Sequence, residues 1–331
     1  MVVKFFKGTV PAVILAIAII FIAVWAPLFF SSSITQNEVS YNNPMPLFAL
    51  LKYLLGSKIW VSNVVAAAIC ATLVFLITNL NTTHFFIGER TFVPALIFIF
   101  ITALLPQYQV LSPVLPASLF IVFALKRILE SYNKKEVAYN FFDAGILIGA
   151  GSLFYINLIW FGVLVFVGIA ILRSIDLREI SVSILGLIIP YILMFGLYYM
   201  LDYDMNNLIS LLYNNIFSEA ASFSFSKVTI VALMFLFVIT ILSFGQVLMF
   251  QSTTKIKSRK TFLLLMWIFF IALSVYFLVP SVSFEIVWIL AIPLSYFIAS
   301  YFIFSKRKLL SEVFFSLFFL IVVFMQILSL V

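Results

Sequence analysis

Long runs of apolar residues, separated by short polar breaks, follow one another from residue 9 to residue 331. A helix needs about twenty mostly apolar residues to cross the hydrocarbon core of a bilayer. Eleven runs meet or approach this length, near residues 9–30, 60–79, 92–106, 114–131, 139–155, 157–173, 180–201, 227–249, 261–279, 284–304 and 310–331, and those that begin at 92, 139 and 157 are short. The pattern predicts an all-α fold, a polytopic bundle of about eleven transmembrane helices.

The basic residues give this bundle a direction. Cytoplasmic loops carry an excess of Lys and Arg. With the N-terminus in the cytoplasm, sixteen of the 19 Lys and Arg residues fall on the inner side, and only Lys52, Lys58 and Lys227 fall on the outer side. We therefore predict a cytoplasmic N-terminus and a C-terminus outside.

Composition supports a single membrane domain. Hydrophobic residues make up 65% of the chain and charged residues 9%, whereas about a quarter of an ordinary soluble domain is charged. No polar break is long enough for a separate soluble domain, so we expect one domain over residues 1–331, with a helical module at 1–202 and an outer loop plus four spans at 203–331.

The net charge of +7 lies in short clusters between the runs. Membrane topology explains that charge, so no nucleic-acid partner is expected.

The first outer segment, residues 31–59, is long enough to form part of a site. Glu38 is its only carboxylate. Residues 47–55 follow Pro46 and combine apolar side chains with Lys52, which predicts an amphipathic helix lying in the outer interface. Glu38 would then lie between the end of the first span and this interfacial helix.

The second outer segment, residues 202–226, contains Asp202 and Asp204 among several amide side chains. Carboxylates and amides outside a membrane bundle bind sugars or polar head groups. They are equally typical of a solvated loop, and both interpretations stay open.

Smaller signals concern packing and motifs. Asp143 precedes a glycine-rich stretch near the start of the fifth predicted span, which favours a helix-capping role. Gly145, Gly149 and Gly151 follow at a spacing that allows close helix contact.

The chain has no phosphate-binding glycine loop, no HExxH, no paired CxxC and no serine-hydrolase elbow, which argues against ATP-driven transport, zinc proteolysis and serine hydrolysis.

The layout over residues 1–202, about 60% of the chain, resembles the conserved module of the GT-C membrane glycosyltransferases. The resemblance is carried by Glu38 in the first outer loop, the interfacial helix at 47–55, the exit Pro106-Gln107-Tyr108-Gln109 from the third span, and the small-residue phrase Ala144-Gly145-Ile146-Leu147-Ile148-Gly149-Ala150. Ser152-Leu153-Phe154-Tyr155 together with Asp176-Leu177-Arg178-Glu179 also resembles an uncharacterised multipass membrane family of Bacteroidota.

The GT-C resemblance implies transfer of a sugar from a polyprenyl-phosphate carrier at the outer face of the bacterial inner membrane. Such a reaction needs a base for the acceptor hydroxyl and cationic or amide groups for the departing phosphate. Glu38 is the expected base, and the expected substrate-binding residues are Lys52, Lys58, Gln107, Asp202 and Asp204. No motif requires a cofactor or a resident metal, and a divalent metal is an open alternative.

Two other functions stay open. Since Glu38 has no acidic neighbour and the last run, 310–331, is rich in Phe, the chain is also suited to be a non-catalytic subunit of an envelope complex with protein partners. A lipid or small-solute transporter is the third alternative. Membrane lipids are expected partners in every case.

Overall fold

The computed structural model describes residues 2–8, 10–30, 43–56, 58–134, 137–173, 176–218, 226–251 and 255–330. These residues form α-helices and short 3-10 helices, and no strand occurs among them. The α-helices are α1 Val2–Lys7, α2 Pro11–Trp25, α3 Pro27–Phe30, α4 Pro46–Leu55, α5 Ile59–His84, α6 Val93–Ala103, α7 Val114–Glu130, α8 Ala138–Ser152, α9 Val163–Leu172, α10 Leu177–Met200, α11 Met205–Phe217, α12 Lys227–Gln251, α13 Ile256–Leu278, α14 Val287–Phe304 and α15 Lys308–Leu328. Three 3-10 helices, Pro106–Tyr108, Ile156–Gly162 and Phe284–Ile286, lie between them. The all-α prediction is confirmed.

Each of the eleven predicted runs contains a helix, but the helices differ in length. Seven segments of the described chain are long and apolar enough to cross a membrane: Pro11–Phe30, Ile59–His84, Leu177–Met200, Lys227–Met249, Ile256–Leu278, Phe284–Phe304 and Lys308–Leu328. The helices in the other four runs, α6, α7, α8 and Ile156–Leu172, have at most 17 residues. The protein is thus a multipass helical membrane protein by composition and fold, and eleven crossings stay a prediction.

Helix α14 forms the centre of the bundle. Of its most apolar 18-residue window, 94% is buried, which is typical of a helix that is apolar on every face and surrounded by other helices. Its Trp288, Tyr296 and Phe297 are among the largest fully buried side chains. The Tyr296 hydroxyl donates a hydrogen bond to the Ile77 carbonyl of α5 at 2.7 Å, so even the polar atom of this side chain is paired inside the protein.

Glycines bring α8 and α10 into backbone contact. A Cβ added to Gly145 would lie 2.6 Å from the Ser183 carbonyl oxygen, and one added to Gly149 would lie 2.7 Å from the Leu187 carbonyl oxygen. Only glycine permits this separation, which confirms the packing role predicted for the glycine-rich stretch. The Ser152 and Tyr191 hydroxyls, 2.6 Å apart, join the same two helices by a hydrogen bond.

The capping role predicted for Asp143 is wrong. Helix α8 begins at Ala138, so Asp143 lies inside the helix rather than at its start. Its carboxylate forms an ion pair with Arg127 of α7, with 3.4 Å between Nε and Oδ2. The predicted run begins at 139, one residue after the observed helix start, so the error concerns the role of Asp143 and not the position of the helix.

One end of the bundle, here named the proximal end, carries α1. The Lys7 ammonium donates to the Ile303 carbonyl at 2.7 Å and lies 3.7 Å from Glu89. Arg173 pairs with Glu179 at 2.6 Å.

The opposite end, here named the distal end, carries α4 and α11. The Asn215 side-chain amide of α11 donates to the Asn43 carbonyl at 2.9 Å, and the Leu47 amide at the start of α4 donates to the Leu153 carbonyl after α8 at 3.2 Å. The described parts of the segments that follow the first and the seventh predicted spans therefore lie at the same end of the protein, as the predicted topology requires.

Candidate functional site

A large apolar depression runs between three of the candidate membrane helices, α12, α13 and α14. We name it the lateral groove; its volume is about 610 Å³, and it is lined by Leu233, Leu236, Phe237, Thr240, Ile241, Phe244, Phe269, Phe270, Leu273, Tyr276, Phe277, Phe284, Ile286, Val287, Leu290 and Leu294. This volume lies within the range of about 300–1,000 Å³ typical of small-molecule sites. Phe237 and Phe277 on its rim are 65% and 78% exposed, so the groove opens sideways, toward the space that lipid would occupy.

The wall of the lateral groove suits a hydrocarbon chain. Thr240 and Tyr276 are the only lining residues with a polar side chain. The Thr240 hydroxyl is already used, since it donates to the Leu236 carbonyl at 2.8 Å. Tyr276 lies at the distal end of α13, where its ring contacts Phe284 with centroids 5.9 Å apart. The polar part of the groove is therefore its distal end.

Polar side chains gather at that distal end, in the turns between helices and near the end of α15. We name this group the distal polar cluster; it comprises Gln107, Tyr108, Gln109, Tyr155, Asn157, Ser281, Glu285 and Gln326. Hydrogen bonds join its members across the fold: Asn157 donates to the Ser281 hydroxyl at 2.9 Å, and Gln326 donates to Gln109 Oε1 at 3.0 Å. Three turns that are far apart in the sequence, and the C-terminal end of α15, thus meet at one end of the bundle.

Glu285 is the carboxylate of the distal polar cluster. It is 2% exposed and lies in the 3-10 turn Phe284–Ile286 that leads into α14, where the positive end of the helix dipole favours a negative charge. Its charge interacts with the side chains of Tyr108 and Tyr155. Burial, and to a smaller extent the charge of Glu285, raises the pKa of Tyr108 above its ordinary value. Tyr108 is therefore a neutral hydroxyl, able to donate, at physiological pH.

Two pairs in the cluster are hydrogen-bonded internally, Tyr155 with Asn157 and Tyr108 with Gln107. Four other buried polar atoms at this end have no hydrogen-bond partner among the described residues: Gln109 Nε2, Ser112 Oγ, Trp288 Nε1 and Gln326 Oε1. A buried polar atom without a partner costs about 1–3 kcal/mol, and native proteins contain few of them. Their concentration at one end indicates a place where a polar ligand or water makes the bonds that the protein leaves open.

The lateral groove and the distal polar cluster adjoin each other at the turn that carries Phe284. Phe284 and Ile286 line the groove, and Glu285 lies between them in the sequence. The ring of Phe284 contacts Tyr108 of the cluster, with centroids 5.9 Å apart. Together they form a candidate site with an apolar channel on one side and hydrogen-bonding groups on the other.

The residues that the sequence predicted for a site occupy different places. Gln107 belongs to the distal polar cluster. Lys52 lies on α4 with its ammonium 5.5 Å from the Phe48 ring centroid, and Lys58 is exposed immediately before α5. The predicted base, Glu38, lies outside the described residues.

Asp202 and Asp204 are exposed in the turn between α10 and α11. Asp204 caps α11, since its carboxylate accepts a hydrogen bond from the Asn206 amide at 2.9 Å. Asp202 has a left-handed backbone, with φ 53°. Their predicted role in holding a sugar stays a prediction.

Glu285 was missed by the sequence reasoning, which examined only the long outer segments. A signal was present: a carboxylate at the start of the tenth predicted run, 284–304, on the predicted outer side. Within the described ranges, no three His, Cys, Asp or Glu side chains converge to hold a metal ion.

Comparison with known proteins places the chain in a family. No curated protein and no solved structure matches it. A family model, described as a family of unknown function, matches residues 43–331. The match covers the lateral groove and the distal polar cluster, whereas Glu38 precedes it. Since the match extends over most of its length, the chain belongs to the family of unknown function DUF6427.

Proposed function

We propose that this protein transfers a sugar, or a related group, from a polyprenyl-phosphate carrier to an acceptor at the outer face of the bacterial inner membrane. The observation that supports this function best is that the lateral groove adjoins the distal polar cluster through the contact of Phe284 with Tyr108. An isoprenoid chain suits the groove, and the polar end of the carrier suits the cluster. The GT-C-like layout of residues 1–202 supports the same reaction class.

In the proposed reaction an acceptor hydroxyl attacks the anomeric carbon of the donor sugar. The acceptor gives its proton to a base, a new C–O bond forms, and the bond between the sugar and the phosphate oxygen breaks to release polyprenyl phosphate. Glu38 is the candidate base. Lys52 and Lys58, near α4 at the distal end, are candidates for stabilising the departing phosphate, and Gln107 is a candidate amide donor.

A direct test uses the purified protein in proteoliposomes. It is given a panel of polyprenyl-phosphate-linked sugars, labelled in the sugar, and the release of polyprenyl phosphate is measured. We expect turnover with at least one member of the panel. Absence of turnover across the panel, with an envelope extract supplied as acceptor, would contradict the proposal.

The groove itself is tested by a matched pair of substitutions on α13. Leu273 lines the groove, whereas Leu278 lies outside its lining and is 78% exposed. Leu273→Trp fills the channel and should lower turnover at least tenfold, mainly through a higher KM for the carrier. Leu278→Trp adds the same bulk on the lipid side and should leave turnover within twofold of wild type. Equal effects of the two variants would remove the groove from the mechanism.

The same groove favours a lipid transporter as the second candidate. A transporter would move a polyprenyl-linked sugar from one leaflet to the other without releasing polyprenyl phosphate. Leaflet-specific enzymatic accessibility of the labelled sugar in the same proteoliposomes separates the two functions. Movement without release identifies the transporter.

A further inference from the structure

The C-terminal parts of α5 and α7 enclose a small depression at the proximal end of the bundle. The Asn81 side-chain amide of α5 donates to the Glu89 carbonyl at 3.1 Å, which places this part of α5 beside the Lys7–Glu89 pair. We name the feature the proximal depression; its volume is about 10 Å³. This is room for one water molecule or for one oxygen atom of a ligand whose remainder lies outside.

His84, the last residue of α5, is the buried polar group of the proximal depression. It lines the depression and is 7% exposed. Its Nε2 atom has no hydrogen-bond partner in the part of the chain that the structure describes. Native proteins leave few buried polar atoms unpaired, so we expect an atom from outside the protein to bind there.

The other polar groups of the proximal depression are suited to an acceptor. Lys126 lines it from α7, and an ammonium has donors only. Asn79 lines it from α5, and its Oδ1 accepts a hydrogen bond from the Thr83 hydroxyl at 2.8 Å. The amide nitrogen of Asn79, a donor, is therefore the group that it offers to a ligand.

Cations outnumber carboxylates around His84. The side-chain charges that act on its imidazole are those of three lysines and one glutamate: Lys257, Lys126, Lys134 and Glu130. Glu130 already pairs with Arg127 at 3.2 Å. Lys126 and Lys257 form no ion pair with any described residue. An anion in the depression would relieve the repulsion between these lysines, whereas a cation would increase it.

The apolar side of the proximal depression faces along the bundle. Leu76 and Phe123 line it from positions about two turns before His84 and about one turn before Lys126. Phe75 and Phe123 are exposed, so hydrocarbon can lie against this side. Basic pockets between membrane helices bind anionic lipid head groups on the cytoplasmic side, and the proximal end is the predicted cytoplasmic side.

We propose that the proximal depression binds the phosphate of an anionic phospholipid from the leaflet at the proximal end. One phosphate oxygen enters the depression and accepts a hydrogen bond from His84 Nε2. The rest of the phosphate lies at the mouth, near Lys126 and Lys257, and an acyl chain lies against Phe123. This site is independent of the proposed sugar transfer and of the lateral groove.

The test counts bound lipid by native mass spectrometry. Delipidated protein in dodecyl maltoside is titrated with dioleoyl phosphatidylglycerol, and dioleoyl phosphatidylcholine and glycerol 3-phosphate are the comparison ligands. We expect phosphatidylglycerol to bind at least tenfold more tightly than either. Phosphatidylcholine has a cation that the lysines repel, and glycerol 3-phosphate has no acyl chains. Equal binding of phosphatidylcholine would overturn the proposal, and equal binding of glycerol 3-phosphate would overturn the lipid as the source of the phosphate.

Three substitutions locate the phosphate. His84→Phe keeps a ring and removes the donor, and it should weaken phosphatidylglycerol binding about tenfold. His84→Gln supplies an amide donor at a similar reach and should recover most of that loss. Lys126→Gln should weaken binding about threefold or more. The matched control is Lys306→Gln, since Lys306 is exposed after α14 at the same end and is not among the charges that act on His84.

The outcomes separate a lipid site from a hydrated cavity. The control should bind phosphatidylglycerol within twofold of wild type. Unchanged binding in both His84→Phe and Lys126→Gln would refute the site and leave water as the occupant of the depression. Equal losses in Lys126→Gln and Lys306→Gln would also refute it, because they would show a general attraction to the charged end. If His84→Phe lowers the melting temperature, Lys126→Gln at the mouth decides.

Discussion

Replacement of Gly145 by valine tests whether the close contact between α8 and α10 holds the distal polar cluster in place. The first added atom would lie 2.6 Å from the Ser183 carbonyl oxygen and 3.1 Å from the Leu187 amide nitrogen. Both are backbone atoms, so no side chain can rotate away. The first distance is about 0.8 Å shorter than ordinary van der Waals contact, and the two helices must move apart by a similar amount.

The cost follows from this displacement. Overpacking of a rigid contact costs about 1–3 kcal/mol, and two backbone clashes place Gly145→Val near the upper value. At roughly 2 °C per kcal/mol for a chain of this size, the melting temperature should fall by roughly 6 °C. The control is Gly196→Val on α10, since a Cβ there meets nothing within 4 Å. Valine has the higher helix propensity, so the control should stay at or slightly above the wild-type melting temperature.

The assay is tryptophan-fluorescence melting of both variants in nanodiscs, together with turnover of the polyprenyl-linked donor. Helix α8 leads into the turn that carries Tyr155 and Asn157, so separation of α8 from α10 should also lower turnover, by about threefold or more. Equal melting temperatures for the two variants would refute the contact. A lower melting temperature with unchanged turnover would show that α8 does not position the cluster.

Two further predictions concern topology and the base. Cysteine introduced at Lys58 or Asp202 should react with a membrane-impermeant maleimide added to intact spheroplasts, whereas cysteine at Arg178 should react only after lysis; native Cys70 is buried and gives little background. Reaction of Asp202 and Arg178 positions from the same side would contradict the predicted orientation. Glu38→Gln should lower turnover by about 10²- to 10⁴-fold with unchanged expression. Undiminished turnover in this variant would remove Glu38 as the base and leave another carboxylate, such as Glu285, to be tested.

The helical class and the positions of the apolar segments could be predicted because they depend on local properties of the chain. Hydrophobic runs, the proline before α4 and the glycine spacing of α8 act over a few residues. The crossing number is harder to predict, because α6 is short in spite of its apolar sequence. Its eleven residues are all buried, so neighbouring helices rather than lipid surround it.

The candidate site could be predicted only in part because its members come from separate turns. Gln107 was chosen from the exit of the third span and does belong to the distal polar cluster. Asn157 and Glu285 each stand at the start of a predicted apolar run, and nothing local indicates that these two run ends meet. Asp143 shows the same limit: its partner, Arg127, is sixteen positions earlier, and their pairing depends on how α7 packs against α8.

The most direct test of the central claim uses a polyprenyl phosphate with a diazirine on its isoprenoid chain. After photolysis in membranes that contain the protein, labelled peptides are mapped by mass spectrometry. The lateral groove predicts adducts on Leu233, Leu273 and Leu290, suppressed by unlabelled polyprenyl phosphate. Adducts spread over outward positions such as Met234 and Leu278, without competition, would contradict a specific site for the carrier in the groove.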